Sequence, residues 1–295
     1  MRGTHPERAL IDAILREGVV RSGERITIAC SGGPDSIALA WAMGGAAREL
    51  HLSLQLVYVD HGRRSSSMQD ECVVAAASAT LGIPLVAVSL DGAAESEAQL
   101  RDARYAALRR AAHEFRATAI ATAHHAEDQS ETVLLALFRG TGSAGLAGMP
   151  ARRALELDLD LVRPLLRRSA QELLDFCHET AAPYSVDPTN ADPGIARNGV
   201  REALAALRPL FPQLDRAVAR AAALAVDEAE DGPRAGLRRL VREHVQGECG
   251  LLDVSFEHVE AAVRAMERGA SGRFHLKPGV ELEVLDGAIA AIRAR

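Results

Sequence analysis

Lysine is almost missing from this chain: Lys277 is the single one among 34 basic residues. Nearly every cation is therefore a guanidinium, which stays charged and can fork onto a phosphate or stack on a base. Cysteine is sparse too. The four present, Cys30, Cys72, Cys177 and Cys249, stand far apart with no CxxC among them. That suggests neither a zinc site nor a disulfide framework, and the four read as small buried hydrophobes. No apolar run reaches the roughly 20 residues that cross a bilayer, and the start, MRGTHPERALIDAILREG, is too charged for the core of a signal peptide. A cytoplasmic protein without membrane contact is expected.

The composition is that of an ordinary globular chain, with 48% hydrophobic and 25% charged residues over 295 positions and a mean hydropathy of -0.01. Wholesale disorder is excluded. At this length a single core stops growing, so a main domain, 1–211, and a smaller one, 212–295, are expected. The net charge of -6 announces no polyanionic partner. Locally the picture differs, because Arg234, Arg238, Arg239 and Arg242 fall together without an acid, and 197–220 holds five arginines.

Short β-branched runs alternate with longer helical patterns through the first two thirds, the signature of a parallel sheet with crossover helices. Strands are expected at 25–30 (RITIAC), 52–59, 85–90 and 118–123 (TAIATA). Helices fall between them, one opening at Pro34, a tolerated first-turn position, the others over 68–81, 97–115 and 127–138. A glycine-rich loop, GTGSAGLAGMP, precedes a fifth strand near 155–162 and a helix over 169–180. From Arg197 the pattern is helical, ending in an amphipathic helix over 256–268 and a hairpin turning at Pro278-Gly279. The fold class is α/β: an open parallel sheet followed by a small, mostly helical C-terminal domain with a hairpin. Open sheets of this kind bind ligands at the carboxyl ends of their strands.

Ser31-Gly32-Gly33-Pro34-Asp35-Ser36 stands at one such end and opens a helix. Glycines admit an anion to the backbone, the serines add donors, and a helix N-terminus offers free N–H groups. The loop is a phosphate cradle that is neither a Walker A sequence nor a GxGxxG fingerprint. Asp35 would repel phosphate unless a divalent cation lay between them, so magnesium is expected to bridge the two. A plain strand-to-helix turn with a capping aspartate is the alternative, and the hexapeptide holds more than such a turn needs.

At the end of the fourth strand stand His124 and His125, followed by Asp128 and Glu131, three apart and hence on one helix face. Packed histidines are the bland reading; a site at the ligand-bearing edge is the sharper one. Arg101, Arg104 and Tyr105 share one helix, with a solvated arginine stripe as the alternative to anion binding.

SGGPDS resembles the SGGxDS loop of the N-type ATP pyrophosphatases, which cleave ATP between the α- and β-phosphates to adenylate a substrate. Further segments resemble one branch, the tRNA(Ile)-lysidine synthetases: VDHGRR (59–64) like VDHGLR, RDARY (101–105) like ARxxRY, AHHAEDQSET (123–132) like GHHxDDQxET, and RGTGSAGLAGM like RGSGLxGLxGM. RPLL (163–166), DPTN (187–190) and RNGVR (197–201) continue the likeness in order. It implies an adenine nucleotide alpha hydrolase-like fold, ATP as substrate with Mg2+ on Asp35, and ATP bound by Ser31, Gly32, Gly33, Pro34, Asp35 and Ser36. It also implies Asp35, Arg101 and His124 in catalysis, L-lysine received by Asp128 and Glu131, and Arg63, Arg104, Arg197 and Arg201 on tRNA or substrate. The implied reaction is adenylation of the wobble cytidine of tRNA(Ile) with a CAU anticodon, then attack by free lysine. Self-association as a homodimer is compatible with the sequence.

The chain departs from the family at Glu127, which stands where the first Asp of DDQ is usual. Many relatives carry an additional C-terminal tRNA-binding domain, and here the helical segment around 234–242 would take its part. Rival readings are a tRNA 2-thiolation enzyme, whose iron–sulfur forms need clustered cysteines, a nucleotide sensor without turnover, and an amidotransferase-type synthetase.

Overall fold

The run RITIA buries Ile26 and Ile28 completely and forms β1 (Arg25–Ala29), a strand covered on both faces, as parallel sheets require. The computed structural model describes residues 6–60, 67–90, 97–141, 146–185, 196–229, 233–249, 256–277 and 279–294. Around β1 assemble β2 (Ser53–Asp60), β3 (Leu85–Ser89), β4 (Ala119–Ala121), β5 (Arg152–Glu156) and β6 (Leu159–Val162) in the order β3-β2-β1-β4-β6-β5. All neighbours pair in parallel except β5 and β6. The expected fifth strand is thus two: exposed Leu157 falls between them, and the chain folds back into an antiparallel edge hairpin.

The connecting helices are α2 (Pro34–Ala47), α3 (Ser67–Leu81), α4 (Glu97–Phe115) and α5 (Ala126–Phe138). Helix α6 (Ala170–Glu179) and α7 (Ala196–Leu207) follow, and α8 (Leu214–Ala229) comes next. An N-terminal helix not foreseen from the sequence, α1 (Pro6–Glu17), packs Leu10, Ala13 and Ile14 inward. One core joins α1, α2, α3 and α6 to one sheet face through residues such as Ile37, Leu39, Met43 and Leu173. Across the sheet α4 sets Leu108, Ala111 and Ala112 against Val57, Ile120 and Leu161. Burying a side chain such as Leu39 or Ile120 contributes about 1.5–3 kcal/mol of transfer free energy.

From β1 the chain moves outward to β2 and β3, then returns through α4 to β4 on the other side of β1. The strand order therefore reverses between β1 and β4, where such sheets open a crevice at the carboxyl ends.

By its internal contacts the chain divides into two units, 1–141 with 148–220 and 142–147 with 221–295. The second contains α9 (Pro233–Cys249), α10 (Phe256–Glu267), β7 (Gly272–Lys277), β8 (Val280–Leu285) and β9 (Ala288–Ala294). The expected hairpin is its β7–β8 pair, extended by β9 into an antiparallel sheet of three. Val241, Val245, Val259, Val263, Leu276 and Leu282 form its core. Arg238 lies one turn before Val241 on the same face and is buried in an ion pair with Glu260. It is a structural cation, so the arginine segment around it offers a smaller basic surface than its composition suggests.

Candidate active site

Beyond β1, Cys30 leads into Ser31 and the glycines. Gly32 adopts φ +90, and a Cβ there would come within 3.1 Å of the Asp70 carbonyl and 3.2 Å of Ser185 Oγ, so backbone conformation and space both demand glycine. The Ser185 N–H donates to the Gly32 carbonyl at 2.9 Å, fixing the back of the loop. Gly33 is the N-cap of α2, with Pro34 in its first turn. Ser36 Oγ donates to the Gly33 carbonyl at 2.9 Å and accepts from the Ser31 N–H at 3.1 Å. The cradle is thereby closed by its own hydroxyl and leaves the first N–H groups of α2 for an anion.

A cavity of about 370 Å³ opens on this loop, lined also by Tyr105 and Arg104 of α4, Val57 of β2, and Thr122, His124 and Asp128 beyond β4. His124 Nδ1 lies 2.9 Å from Thr122 Oγ1, which orients the ring. His125 stands in a ring of acids: its Nε2 is 3.6 Å from Asp35 and 3.5 Å from Asp128, and its Nδ1 is 2.9 Å from Glu127. Burial alone would lower its pKa, but hydrogen bonds to Asp35 and Glu127 and the charge of Asp128 outweigh that and raise it to about 10. The imidazolium binds the N-terminal turns of α2 and α5 together through their carboxylates. Its stabilisation is complete below the ordinary histidine pKa near 6.5 and is lost as pH climbs through about 10. Thermal unfolding temperature is expected to fall across that window in the wild type and to stay flatter in His125→Gln.

Glu127 does more than balance this charge. Its two carboxylate oxygens accept from the Ala170 N–H at 3.1 and 3.0 Å, placing an anion at the start of α6, where the helix dipole favours it. Burial works against its ionised form, while His125 and Ala170 hold its pKa below the usual range. The longer glutamate arm found where aspartate is usual has a structural use here.

Gln129 pins the end of the glycine-rich loop: its amide donates to the Met149 carbonyl at 3.1 Å and accepts from the Met149 N–H at 2.8 Å. A Cβ on Gly148, at φ +63, would lie 2.7 Å from that amide nitrogen. Gly148→Ala is expected to cost about 1–2 kcal/mol, measured by denaturant unfolding, from strain and the displaced Gln129 together.

Residues 5–207 match the family described as PP-loop domain. Over 78% of its length the chain is 43% identical to tRNA(Ile)-lysidine synthase of Salinispora tropica, covering 71% of that protein. The chain belongs to the tRNA(Ile)-lysidine synthase family. The namesake protein of Thermobifida fusca is 40% identical and covered to 72%, whereas only 42% of the longer protein from Symbiobacterium thermophilum is covered. Among solved structures, the U34-tRNA thiolase NcsA from Methanococcus maripaludis with its [4Fe-4S] cluster superposes at a TM-score of 0.61 with 16% identity, covering 74% of this chain and 77% of that one. That likeness shows the shared fold.

Of the lysidine-synthase motif residues, Ser31, Gly33, Pro34, Asp35, Ser36, Arg104, His124 and Asp128 reach one cavity, with Gly32 shaping its floor. Arg101 is exposed on α4 beside the cavity, 5.6 Å from the Tyr105 ring centroid. Glu131 does not line it. Buried on α5, it is forked by Arg201 of α7, with Nε donating at 2.7 Å and Nη2 at 3.3 Å. Arg201 is therefore already committed to a carboxylate. Arg197 begins α7 but its side chain lies outside the described residues, as does Arg63 altogether. Sequence reasoning did not single out Thr122 or the role of His125; a hydroxyl two residues before the first histidine was the available signal. Cys30 and Cys177 are buried under the cradle, and burial pushes their thiols up to about 11 and about 12, which leaves them poor nucleophiles.

Proposed function

We propose that this chain forms lysidine on tRNA(Ile). The observation that carries the reading is the meeting, in one cavity, of the phosphate cradle with His124 and Asp128 from beyond β4. ATP binds with its phosphates on 31–36; the C2 oxygen of the wobble cytidine in a CAU anticodon attacks the α-phosphate, and pyrophosphate leaves. The amine of free L-lysine then attacks C2 and AMP departs with the oxygen. Adenylation turns a poor leaving group into a good one, and an unpaired loop base can be splayed into a pocket.

Asp35 is partly open to the cavity, and a carboxylate beside phosphates is the oxygen donor set that magnesium takes; Asp35 would hold the ion, with Asp128 near. Magnesium, when bound, spreads the negative charge of the phosphates and lets an acid stand in the cradle. His125 lies between Asp35 and Asp128, 3.6 and 3.5 Å from their carboxylates, and offsets the repulsion between them. Asp128 offers its charge directly to the substrate ammonium, whereas Glu131 would join only by trading Arg201. Arg101 faces the developing phosphate charge from α4, an electrostatic role suited to a fixed guanidinium. The first unit would be the catalytic domain and the second would contact tRNA, with Arg104 on the substrate side of the cavity.

The test combines ATP, magnesium, labelled lysine and an isoleucine tRNA transcript with a CAU anticodon. Label entering RNA together with released pyrophosphate is the expected result. Pyrophosphate released without lysine transfer contradicts the proposal, pointing to another nucleophile such as sulfur.

A further inference from the structure

A second cationic cluster lies on the same sheet edge, beyond β6. Arg163 follows β6 directly and has the parity of Leu161, which faces α4. It is only 4% exposed. Its Nη1 donates to the Pro150 carbonyl at 2.7 Å, and its Nε has no hydrogen-bond partner among the described residues. Arg153 on β5 pairs with Leu161 in the antiparallel ladder and so stands beside it. Burial lowers the pKa of Arg163, with Tyr105 partly offsetting, and the like charges of Arg153 and Arg101 lower it further. Among the described residues no ion pair joins any of these three arginines to a carboxylate. A buried guanidinium with one carbonyl partner and two like charges nearby is costly unless an anion completes the set.

The anion is not the one in the cradle. The cradle serves β1, and β6 lies two strands away, about 10 Å at ordinary strand spacing. We propose that Arg163 and Arg153 form a second anion subsite, beside the Arg101 that faces the nucleotide, and that it takes a backbone phosphodiester of the polynucleotide substrate. The inference rests on the reading of this chain as a tRNA-modifying enzyme. Phosphate contacts of this type set register without reading sequence, so the subsite would position the target nucleotide relative to the adenylating phosphate. The buried Arg163 is the fixed member and the exposed Arg153 the accessible one.

The test measures binding to the full chain of an RNA stem–loop with a CAU loop, and separately of ATP, for wild type, Arg153→Ala and Arg163→Met. Each variant is expected to weaken RNA binding about tenfold, the loss of a charge-assisted hydrogen bond, with ATP affinity unchanged. The slope of log affinity against log salt should become shallower by about 0.7, one phosphate contact on a single strand. Weaker ATP binding with RNA binding intact overturns the inference in favour of the nucleotide's phosphates. Unchanged affinities for both ligands, with only a lower melting temperature in Arg163→Met, overturn it in favour of packing. Arg153→Ala, on an exposed edge strand, keeps the test decisive if Arg163→Met does not fold. A wild-type chain that binds no RNA would defeat the functional reading itself, whereas wild-type binding matched by both variants defeats the subsite alone.

Discussion

Asp35→Ala is expected to reduce pyrophosphate release on the order of a thousandfold while the protein still melts cooperatively. The carboxylate lies in the first turn of α2, partly open to the cavity and 3.6 Å from His125. Its contact with His125 helps tie α2 to α5, and its removal loosens that tie while leaving the core of Ile37, Leu39 and Met43 intact. What goes is the oxygen donor for a divalent cation inside the phosphate cradle. Assaying pyrophosphate release beside a melting curve separates the two effects. Activity that survives the substitution would mean that the phosphates are neutralised by another group, and the magnesium assignment would fall.

Asp128→Asn is expected to raise the KM for lysine on the order of a hundredfold, the worth of a charged partner in a partly dry site, and to leave pyrophosphate release much nearer its wild-type rate. Asparagine keeps the size and can still accept the His125 N–H, which Asp128 takes at 3.1 Å. What disappears is the charge, which is offered to the substrate ammonium and shared with His125. A parallel measurement on Glu131→Gln should move stability along with KM, because Glu131 is buried and its Arg201 partner would be left without a charge to fork. If both variants behave alike, the two carboxylates share one role, and the distinction drawn from their different exposure is wrong.

Much of this arrangement was legible in the residues. The alternation of β-branched runs with helices located β1 to β4 to within about two residues, because a parallel strand buried on both faces must be apolar throughout. Glycines and serines between a strand and a helix named the cradle for a related reason: few other residues tolerate that backbone and leave N–H groups free. Three things stayed hidden. Helix α1 turns Leu10, Ile11, Ala13, Ile14 and Leu15 inward in one short amphipathic stretch among charges, and a pattern that short is easily lost. The pairing of Glu131 with Arg201 spans 70 positions, a tertiary fact that spacing within one helix cannot contain. Arg238 likewise looked like surface charge, since nothing local announces that Glu260 waits inside the core to meet it. Glu127 was visible as a departure from the family pattern, and its purpose became clear only with the N-terminus of α6 beside it.

The most direct test of lysidine formation is the mass of the modified nucleoside in a digest of the tRNA transcript after incubation with ATP, magnesium and lysine. Cytidine plus lysine less one water, at the wobble position alone, is the predicted product. Unmodified cytidine despite ATP turnover, or a nucleoside carrying sulfur when a sulfur donor is supplied, would contradict it.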